Sequence, residues 1–198
     1  MTLSSEKNFV FFKDERWSRT KIPFNSNEIE MKKLTAKGLK WLKGFHLIAA
    51  ACWIGGAVSL LALYFLKDGV TEGNVLYGIN RSIHHIDMSI VVVPGAIGSL
   101  LTGLLYSIFS NWGFFRHNWL TFKWIVTLSA IIFGTFFLGP WETSMMDISG
   151  RIGIASLQNP AYLYNQQMNL IFGTLQVMVL LITVFVSILK PWKSKKKP

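Results

Sequence analysis

Two ionisable side chains, His46 and Lys123, lie inside long apolar runs of the sequence. An imidazole can ligate a metal ion or transfer a proton near neutral pH, and a lysine can pair with an anionic group. A charged residue at the centre of a membrane helix costs about 2.5 to 3.5 kcal/mol on insertion scales, so its retention indicates function. The structural alternatives are a packing histidine and a lysine that reaches the membrane surface.

A second group of candidates is the pair His84 and His85, which precedes Asp87. Imidazole and carboxylate groups ligate divalent metals, and nearby methionines such as Met88 are soft enough for copper. Adjacent residues of a helix diverge by about 100°, so the two histidines cannot chelate one ion without local unwinding. The pair is therefore the weaker metal candidate, and a position at the membrane surface explains it as well.

Four apolar blocks must position these residues. Each is about as long as the ~20 residues that cross ~30 Å of hydrocarbon at 1.5 Å per residue. The blocks are residues 41–66, 86–109, 119–139 and 168–189. Backbone groups in lipid must be satisfied within the segment, and the sequence lacks the short alternating strands of a barrel. The prediction is an all-α integral membrane four-helix bundle in contact with the lipid bilayer.

Positive charge is unevenly distributed along the chain. Ten of the 20 Lys and Arg residues lie in the first 43 positions and five more follow Leu189. Such an excess marks cytoplasmic segments, so both termini and the middle link are predicted to be cytoplasmic, in a multi-pass protein of the bacterial cytoplasmic membrane. A basic, partly amphipathic segment (1–40) then precedes the membrane domain (41–189), and a basic tail (190–198) follows it. We expect this charge to meet anionic lipid head groups rather than nucleic acid.

Each predicted span carries a stripe of small or weakly polar residues when positions are counted at 100° per residue. The stripes are His46, Ala49, Ala50, Trp53, Gly56 and Ala57 in the first span, Gly95, Ser99 and Gly103 in the second, Lys123, Thr127, Ala130 and Gly134 in the third, and Asn169, Gly173, Gln176, Thr183 and Ser187 in the fourth. Membrane helices turn such faces towards each other. His46 and Lys123 fall at matching depths, about 7 Å and 6 Å inside their helices, and are predicted to be neighbours.

Short motifs in the first three spans carry a family resemblance. The run Gly44-Phe45-His46 is followed, after six residues, by Trp53-Ile54-Gly55-Gly56. Pro94-Gly95 and Leu101-Thr102-Gly103-Leu104 then precede Trp119-Leu120-Thr121-Phe122-Lys123. Over residues 41–139 these motifs resemble a branch of the CopD and HemJ-like group of small polytopic membrane proteins. In HemJ-like proteins a first-span histidine and a third-span lysine are tied to b-type haem and to protoporphyrinogen oxidation, so the resemblance implies these roles for His46 and Lys123.

Haem b is accordingly the expected cofactor, and geometry limits its ligands. His46 and the histidine pair of the second span lie at opposite leaflets, roughly 20 Å apart in a core ~30 Å thick, and cannot ligate one iron from both sides. With His46 on the iron, Lys123 or His117 is the obvious second nitrogen donor, or the iron stays five-coordinate. Trp53 is expected to stack nearby, and Lys123, Arg116 or His117 to meet the haem propionates.

The leading hypothesis is a small membrane-embedded haem-binding protein, similar to a b-type cytochrome, in haem handling or in electron transfer with the quinone pool. One alternative is an enzyme, a protoporphyrinogen oxidase of HemJ type with a porphyrin substrate. Another is copper transport in the manner of CopD, through His84 and His85. A non-catalytic subunit of a larger membrane complex is the third, and a homo-oligomer also stays open.

Overall fold

A computed structural model describes residues 34–110, 113–115 and 117–192 of the chain. Those residues form helices and turns without a strand, as the all-α class predicts. Four helices are long and apolar enough to cross a membrane, which confirms a multi-pass membrane protein whose helices contact the lipid bilayer. Most of the predicted N-terminal segment and of the basic tail falls outside the described residues.

The four long helices are built from six α-helices and three other helical segments in the described part of the chain. The first is α1 (Ala36–Phe65), and the second joins α2 (Gly73–Ile86), a π-helical segment (Asp87–Ile97) and α3 (Gly98–Phe109). The third joins α4 (Asn118–Phe133), a shorter π-helical segment (Gly134–Leu138), α5 (Gly139–Ile152) and a 3-10 segment (Gly153–Gln158), and the fourth is α6 (Pro160–Leu189).

Local sequence sets where α1 and α6 begin. The hydroxyl of Thr35 accepts a hydrogen bond from the backbone of the first turn of α1. The side-chain oxygen of Asn159 accepts from Ala161 N–H at 2.9 Å, at the start of α6. Pro160, which lacks an N–H, fits the first helical position, where that group has no helical partner. Both starts therefore follow the capping preferences of helices.

The second and third helices extend beyond the spans expected from hydropathy. The second begins at Gly73 rather than Ile86, and the third continues to Gln158 rather than Gly139. Their lengths of 37 and 41 residues exceed the ~20 that cross the hydrocarbon, so one end of the bundle projects beyond it. The added turns, α2 and α5, are polar on one side and pack against each other, so hydropathy marks the apolar spans but not the full length of these helices. The first and fourth helices also begin earlier than predicted.

We name the two ends of the bundle after one residue in each. The His46 end holds the start of α1, the end of α3, the start of α4 and the end of α6. The Lys67 end holds the turn after α1 together with α2, α5 and the 3-10 segment. Because the four helices alternate in direction, the first residue of α1 and the last residue of α6 lie at the same end.

A seam of small residues joins α1 to the second helix. A Cβ atom built on Gly95 would lie 2.7 Å from the Cα of Trp53, so the two backbones touch at this point. Nearer the Lys67 end, Gly56 packs on Val91. Ala49, Trp53 and Gly56 are buried, which confirms the predicted inward stripe of α1.

The third helix packs differently in its two halves. α5 packs against α2 and α6, whereas α4 packs against α6. The remainder of the second helix, from its π-helical segment through α3, packs against α1. A cleft therefore separates α4 from the second helix along the membrane-spanning part of the bundle, and α2 and α5 close this cleft at the Lys67 end.

Buried apolar residues form two clusters. One lies in the middle of the bundle and contains Trp53, Val91, Ala96, Ala130 and Leu180. The other lies at the Lys67 end and contains Leu76, Met145 and Tyr162, which are 0%, 1% and 0% exposed. The tightest apolar packing of the described residues is therefore at the Lys67 end.

Candidate functional site

His46 is held by hydrogen bonds from the second helix. Its Nδ1 lies 2.8 Å from Thr102 Oγ1. The Thr102 hydroxyl donates to the backbone carbonyl of Gly98 at 2.6 Å, so its oxygen is left to accept and His46 Nδ1 donates. The backbone carbonyl of Ser99 also interacts with the imidazole. Nε2 of the neutral side chain therefore carries the lone pair, as in metal-ligating histidines whose other nitrogen donates a hydrogen bond.

His46 lines a cavity of ≈ 530 Å³ at the His46 end of the cleft. Its volume falls within the range of about 300 to 1,000 Å³ that is usual for cofactor and small-molecule pockets. The walls come from α1, α3, α4 and the end of α6. The polar and aromatic lining residues are Lys43, His46, Ser99, Tyr106, Ser107, Trp119, Lys123, Trp124, Thr127, Ser187 and Lys190. Three amino groups and three large aromatic rings thus surround one imidazole. We call this space the His46 cavity.

Lys123 lines the His46 cavity together with His46, as their matching depths predicted. Its side chain is half-buried and close enough to the imidazole to interact with it electrostatically. The lysine therefore lies on an inward face and does not point into lipid.

The other residues predicted for this site are placed differently. Trp53 is 4% exposed and lines a second cavity, nearer the Lys67 end, so the structure does not bring it to His46. His117 directly precedes α4 and stacks on Trp119, with ring centroids 6.2 Å apart. Among the described residues, His46 is the one histidine that lines its cavity. Arg116 lies outside the described residues.

His84 and His85 diverge, as adjacent helical residues must. His84 Nδ1 lies 3.9 Å from Glu142 Oε1, whereas His85 is exposed. Within the described ranges, no group of three or more His, Cys, Asp and Glu side chains is placed to hold a metal ion. Counting at 100° per residue cannot relate His84 to the stripe of Gly95 and Ser99, because the wider turns of a π-helical segment lie between them.

The Lys67 end contains a buried polar cluster that the sequence analysis did not identify. Lys67 and Glu142 are each 4% exposed. Lys67 Nζ lies 3.9 Å from the sulfur of Met145, 4.6 Å from the ring centroid of Tyr64 and 5.9 Å from that of Tyr162. Burial lowers the pKa of Lys67 to about 8, while the Glu142 carboxyl group partly opposes this change by favouring the ammonium form.

Hydrogen bonds extend this cluster across the helices of the Lys67 end. Asn80 Nδ2 donates to Ser149 Oγ at 3.0 Å and to Tyr162 Oη at 3.1 Å. The Tyr64 hydroxyl donates to the backbone carbonyl of Gln166. These bonds connect α1, α2, α5 and α6 and give the Asn80 amide nitrogen its partners, whereas Asn80 Oδ1 and Glu142 Oε1 are buried without a hydrogen-bond partner among the described residues.

The sequence did not indicate the polar cluster because its members, apart from Tyr64, lie outside the apolar blocks. Lys67 belongs to a turn, and Asn80 and Glu142 belong to helices that hydropathy did not detect. One signal was present: Leu76, Asn80 and Ile83 recur at helical spacing, and all three are buried. Their pattern predicts a helix with an inward-facing amide, but it does not say which groups that amide meets.

Comparisons with known proteins do not assign a family. No family model matches the chain, and no curated protein or solved structure shows significant similarity to it. The resemblance to the CopD and HemJ-like group therefore stays a prediction.

Proposed function

We propose that this chain is a small membrane protein that binds a b-type haem in the His46 cavity. The observation that carries the proposal is the tautomer of His46. Thr102 engages Nδ1, so Nε2 is left as the only ring nitrogen available to a haem iron. A histidine that only packs in the bundle needs neither this orientation nor a cavity beside it.

The lining of the His46 cavity fits the chemistry of a haem. Its propionates are anionic, and Lys43, Lys123 and Lys190 bring amino groups to the same space. Its macrocycle is flat and apolar, and suits the rings of Trp119 and Trp124. Aromatic and cationic side chains around one ligating nitrogen are the donor set that such a group requires.

The lining of the His46 cavity favours one of the two predicted second ligands over the other. Lys123 lines the His46 cavity, whereas His117 caps α4 and is not among the described lining residues. We therefore expect a haem bound through His46 alone or through His46 and Lys123. Trp119 and Trp124 replace Trp53 as the expected stacking partners, because Trp53 lines the other cavity.

A bound haem supplies reversible one-electron chemistry, and the chain supplies its environment. Thr102 orients the imidazole, the lysines compensate negative charge, and the helices limit the access of water. The role that follows is haem handling or quinone-linked electron transfer. The concentration of basic residues before α1 and after α6 supports an orientation with both termini and the His46 end on the cytoplasmic side of a bacterial inner membrane.

A porphyrin-oxidising enzyme is the second candidate. It is favoured by one observation: the histidine and lysine that the HemJ-like resemblance pairs line the same cavity. Expression of the chain in a bacterial strain that lacks protoporphyrinogen oxidase tests it, with Lys123→Gln as the matched variant. Growth with the wild type but not with the variant would support the enzyme, and absence of growth with either, at normal membrane levels of protein, would leave haem binding alone.

The absorption spectrum tests haem binding directly. The full chain, purified in detergent from cells supplied with a haem precursor, should show a Soret band and reduced-state bands of a b-type haem. His46→Ala should abolish them, whereas His85→Ala, an exposed histidine outside the cavity, should leave them unchanged. A pigment-free wild type, or bands that survive His46→Ala, would contradict the proposal.

A further inference from the structure

A second and larger cavity, of ≈ 860 Å³, lies in the same cleft nearer the Lys67 end. Its walls come from Trp53 of α1, from the π-helical segment of the second helix, from the third helix and from Gln176 of α6. Most of its lining is apolar and includes the buried side chains of Trp53, Val91 and Ala130. Its volume is within the range of ligand pockets. We call it the Asp87 cavity.

The backbone around the Asp87 cavity is unusual. Both π-helical segments of the described chain, Asp87–Ile97 and Gly134–Leu138, contribute to its walls. Such segments are rare and occur frequently at functional sites. The first contains Pro94, whose missing N–H helps to interrupt the regular pattern. Two rare segments that face one cavity from two helices are hard to explain by packing alone.

The polar end of the Asp87 cavity defines what could bind there. Asp147 and Arg151, four residues apart on α5, are exposed and form its rim. Asp87 is half-buried and lines the same cavity as Thr143 and Ser144. Two acidic groups against one basic group disfavour an anionic phosphate head group. A neutral head group that both donates and accepts hydrogen bonds is matched by these side chains.

We propose that the Asp87 cavity binds a membrane-soluble hydroquinone or the corresponding quinone. The apolar wall accommodates the substituted ring and the start of its alkyl chain, and the carboxyl group of Asp87 accepts a hydrogen bond from the hydroquinone hydroxyl. The open side of the cleft admits such a molecule from the bilayer. The proposal deepens the quinone-linked form of the proposed function by naming the cavity in which the quinone binds. Quinone binding in this cavity does not require haem in the His46 cavity.

Tryptophan fluorescence provides the test, because quinones quench nearby indoles and Trp53 lines the cavity. The full haem-free chain in lipid nanodiscs is titrated with decylubiquinone, alone and in competition with decylubiquinol, whose binding is measured by the loss of quenching. We expect a saturable component on top of the linear partitioning into lipid. In Trp53→Phe this component should be lost or strongly reduced, whereas the linear part should remain.

Two pairs of variants locate the binding. Gly134→Leu fills the cavity, since a Cβ there meets nothing closer than Gln176 Nε2 at 3.8 Å, and it should weaken binding at least tenfold. Gly55→Leu is its control, because a Cβ on Gly55 has no neighbour within 4 Å. Asp87→Leu should weaken the quinol about tenfold and the quinone less, because only the quinol donates to it. Asp68→Leu, at an exposed turn, should change neither.

Several results would contradict quinone binding in the Asp87 cavity. Quenching that is linear in probe concentration, or that is the same in Gly134→Leu and Gly55→Leu, would show partitioning only. A phospholipid that stays bound in the cavity by native mass spectrometry and is not displaced by decylubiquinone would assign the cavity to lipid. Because every measurement uses haem-free protein, failure here leaves the haem proposal untouched, and failure of the haem proposal leaves this site testable.

Discussion

The His46 end and the Lys67 end of the bundle differ in how closely their side chains pack. At the Lys67 end, Leu76 and Tyr162 are 0% exposed, and Asn80 Nδ2 donates a hydrogen bond to Tyr162 Oη. At the His46 end a cavity of ≈ 530 Å³ lies beside an oriented imidazole. Apolar side chains in lipid gain little by turning inward, so tight apolar packing is needed mainly where helices leave the hydrocarbon. The Lys67 end therefore holds the bundle together by close packing, whereas the His46 end keeps a space beside an imidazole.

The largest expected effect comes from equal truncations at the two ends. Leu76→Ala should lower the free energy of unfolding by about 2 to 5 kcal/mol, because a fully enclosed side chain is removed. Leu100→Ala, which enlarges the His46 cavity, should cost less than about 2 kcal/mol. Unfolding in mixed micelles by denaturing detergent measures both. Equal losses of stability would show that the two ends are packed alike and would contradict the proposed difference between them.

The second-largest effect on stability should come from the titration of Lys67. Its pKa is about 8 in the folded chain against an ordinary value of 10.5, so between these pH values the unfolded chain holds a proton that the folded chain has released. The contribution of Lys67 to stability should therefore rise with pH across this window, by up to about 3 kcal/mol. Unfolding at pH 7.5, 9 and 10.5 should give a difference in stability between the wild type and Lys67→Met that changes with pH in favour of the wild type. Parallel profiles would mean that Lys67 is hydrated in the folded state.

A methyl group at the seam between α1 and the second helix should have a somewhat smaller effect. Gly95→Ala places its Cβ against the backbone of Trp53 and should destabilise by about 1 to 3 kcal/mol. Gly55→Ala has free space and should be neutral or stabilising by up to about 1 kcal/mol. Thermal unfolding in detergent separates them. If Gly95→Ala were tolerated as well as Gly55→Ala, the close contact would not determine the position of the second helix.

The smallest effect should come from the hydrogen bond behind His46. Thr102→Val removes the side-chain acceptor of Nδ1, but the Ser99 carbonyl remains near the ring, so we expect about a tenfold loss of haem affinity. Titration of haem into the apo-protein measures it, and Thr121→Val, outside the cavity, is the control. Unchanged affinity in Thr102→Val would mean that the tautomer of His46 is not set by this contact.

The sequence predicted the His46 end better than the Lys67 end, for a physical reason. His46 and Lys123 stand out because an ionisable group in an apolar block is costly, and regular helices place both on inward stripes. Lys67, Asn80 and Glu142 carry no such signal, since polar residues in turns and helix ends are ordinary. Only the packing of α2 on α5 turns them into buried groups.

The assumption of regular helical geometry also limited what the sequence could predict about the second helix. Gly95 was correctly expected to face a neighbour, because it lies on the seam with Trp53. Residues on opposite sides of the π-helical segment, such as His84 and Ser99, could not be related by counting, since the turns between them are wider than those of an α-helix. A hydropathy pattern does not distinguish a π-helical segment from an α-helix, and Pro94 alone does not predict how long the π-helical segment is.

The open side of the cleft between α4 and the second helix has a consequence for how ligands should be dosed. A hydrophobic compound that enters sideways equilibrates with the bilayer before it meets the protein. Its occupancy then follows the number of molecules per lipid, and an apparent affinity expressed per litre of buffer would change whenever more vesicles are added. Mole fraction in the membrane is the concentration scale on which this protein's binding constants should agree between laboratories.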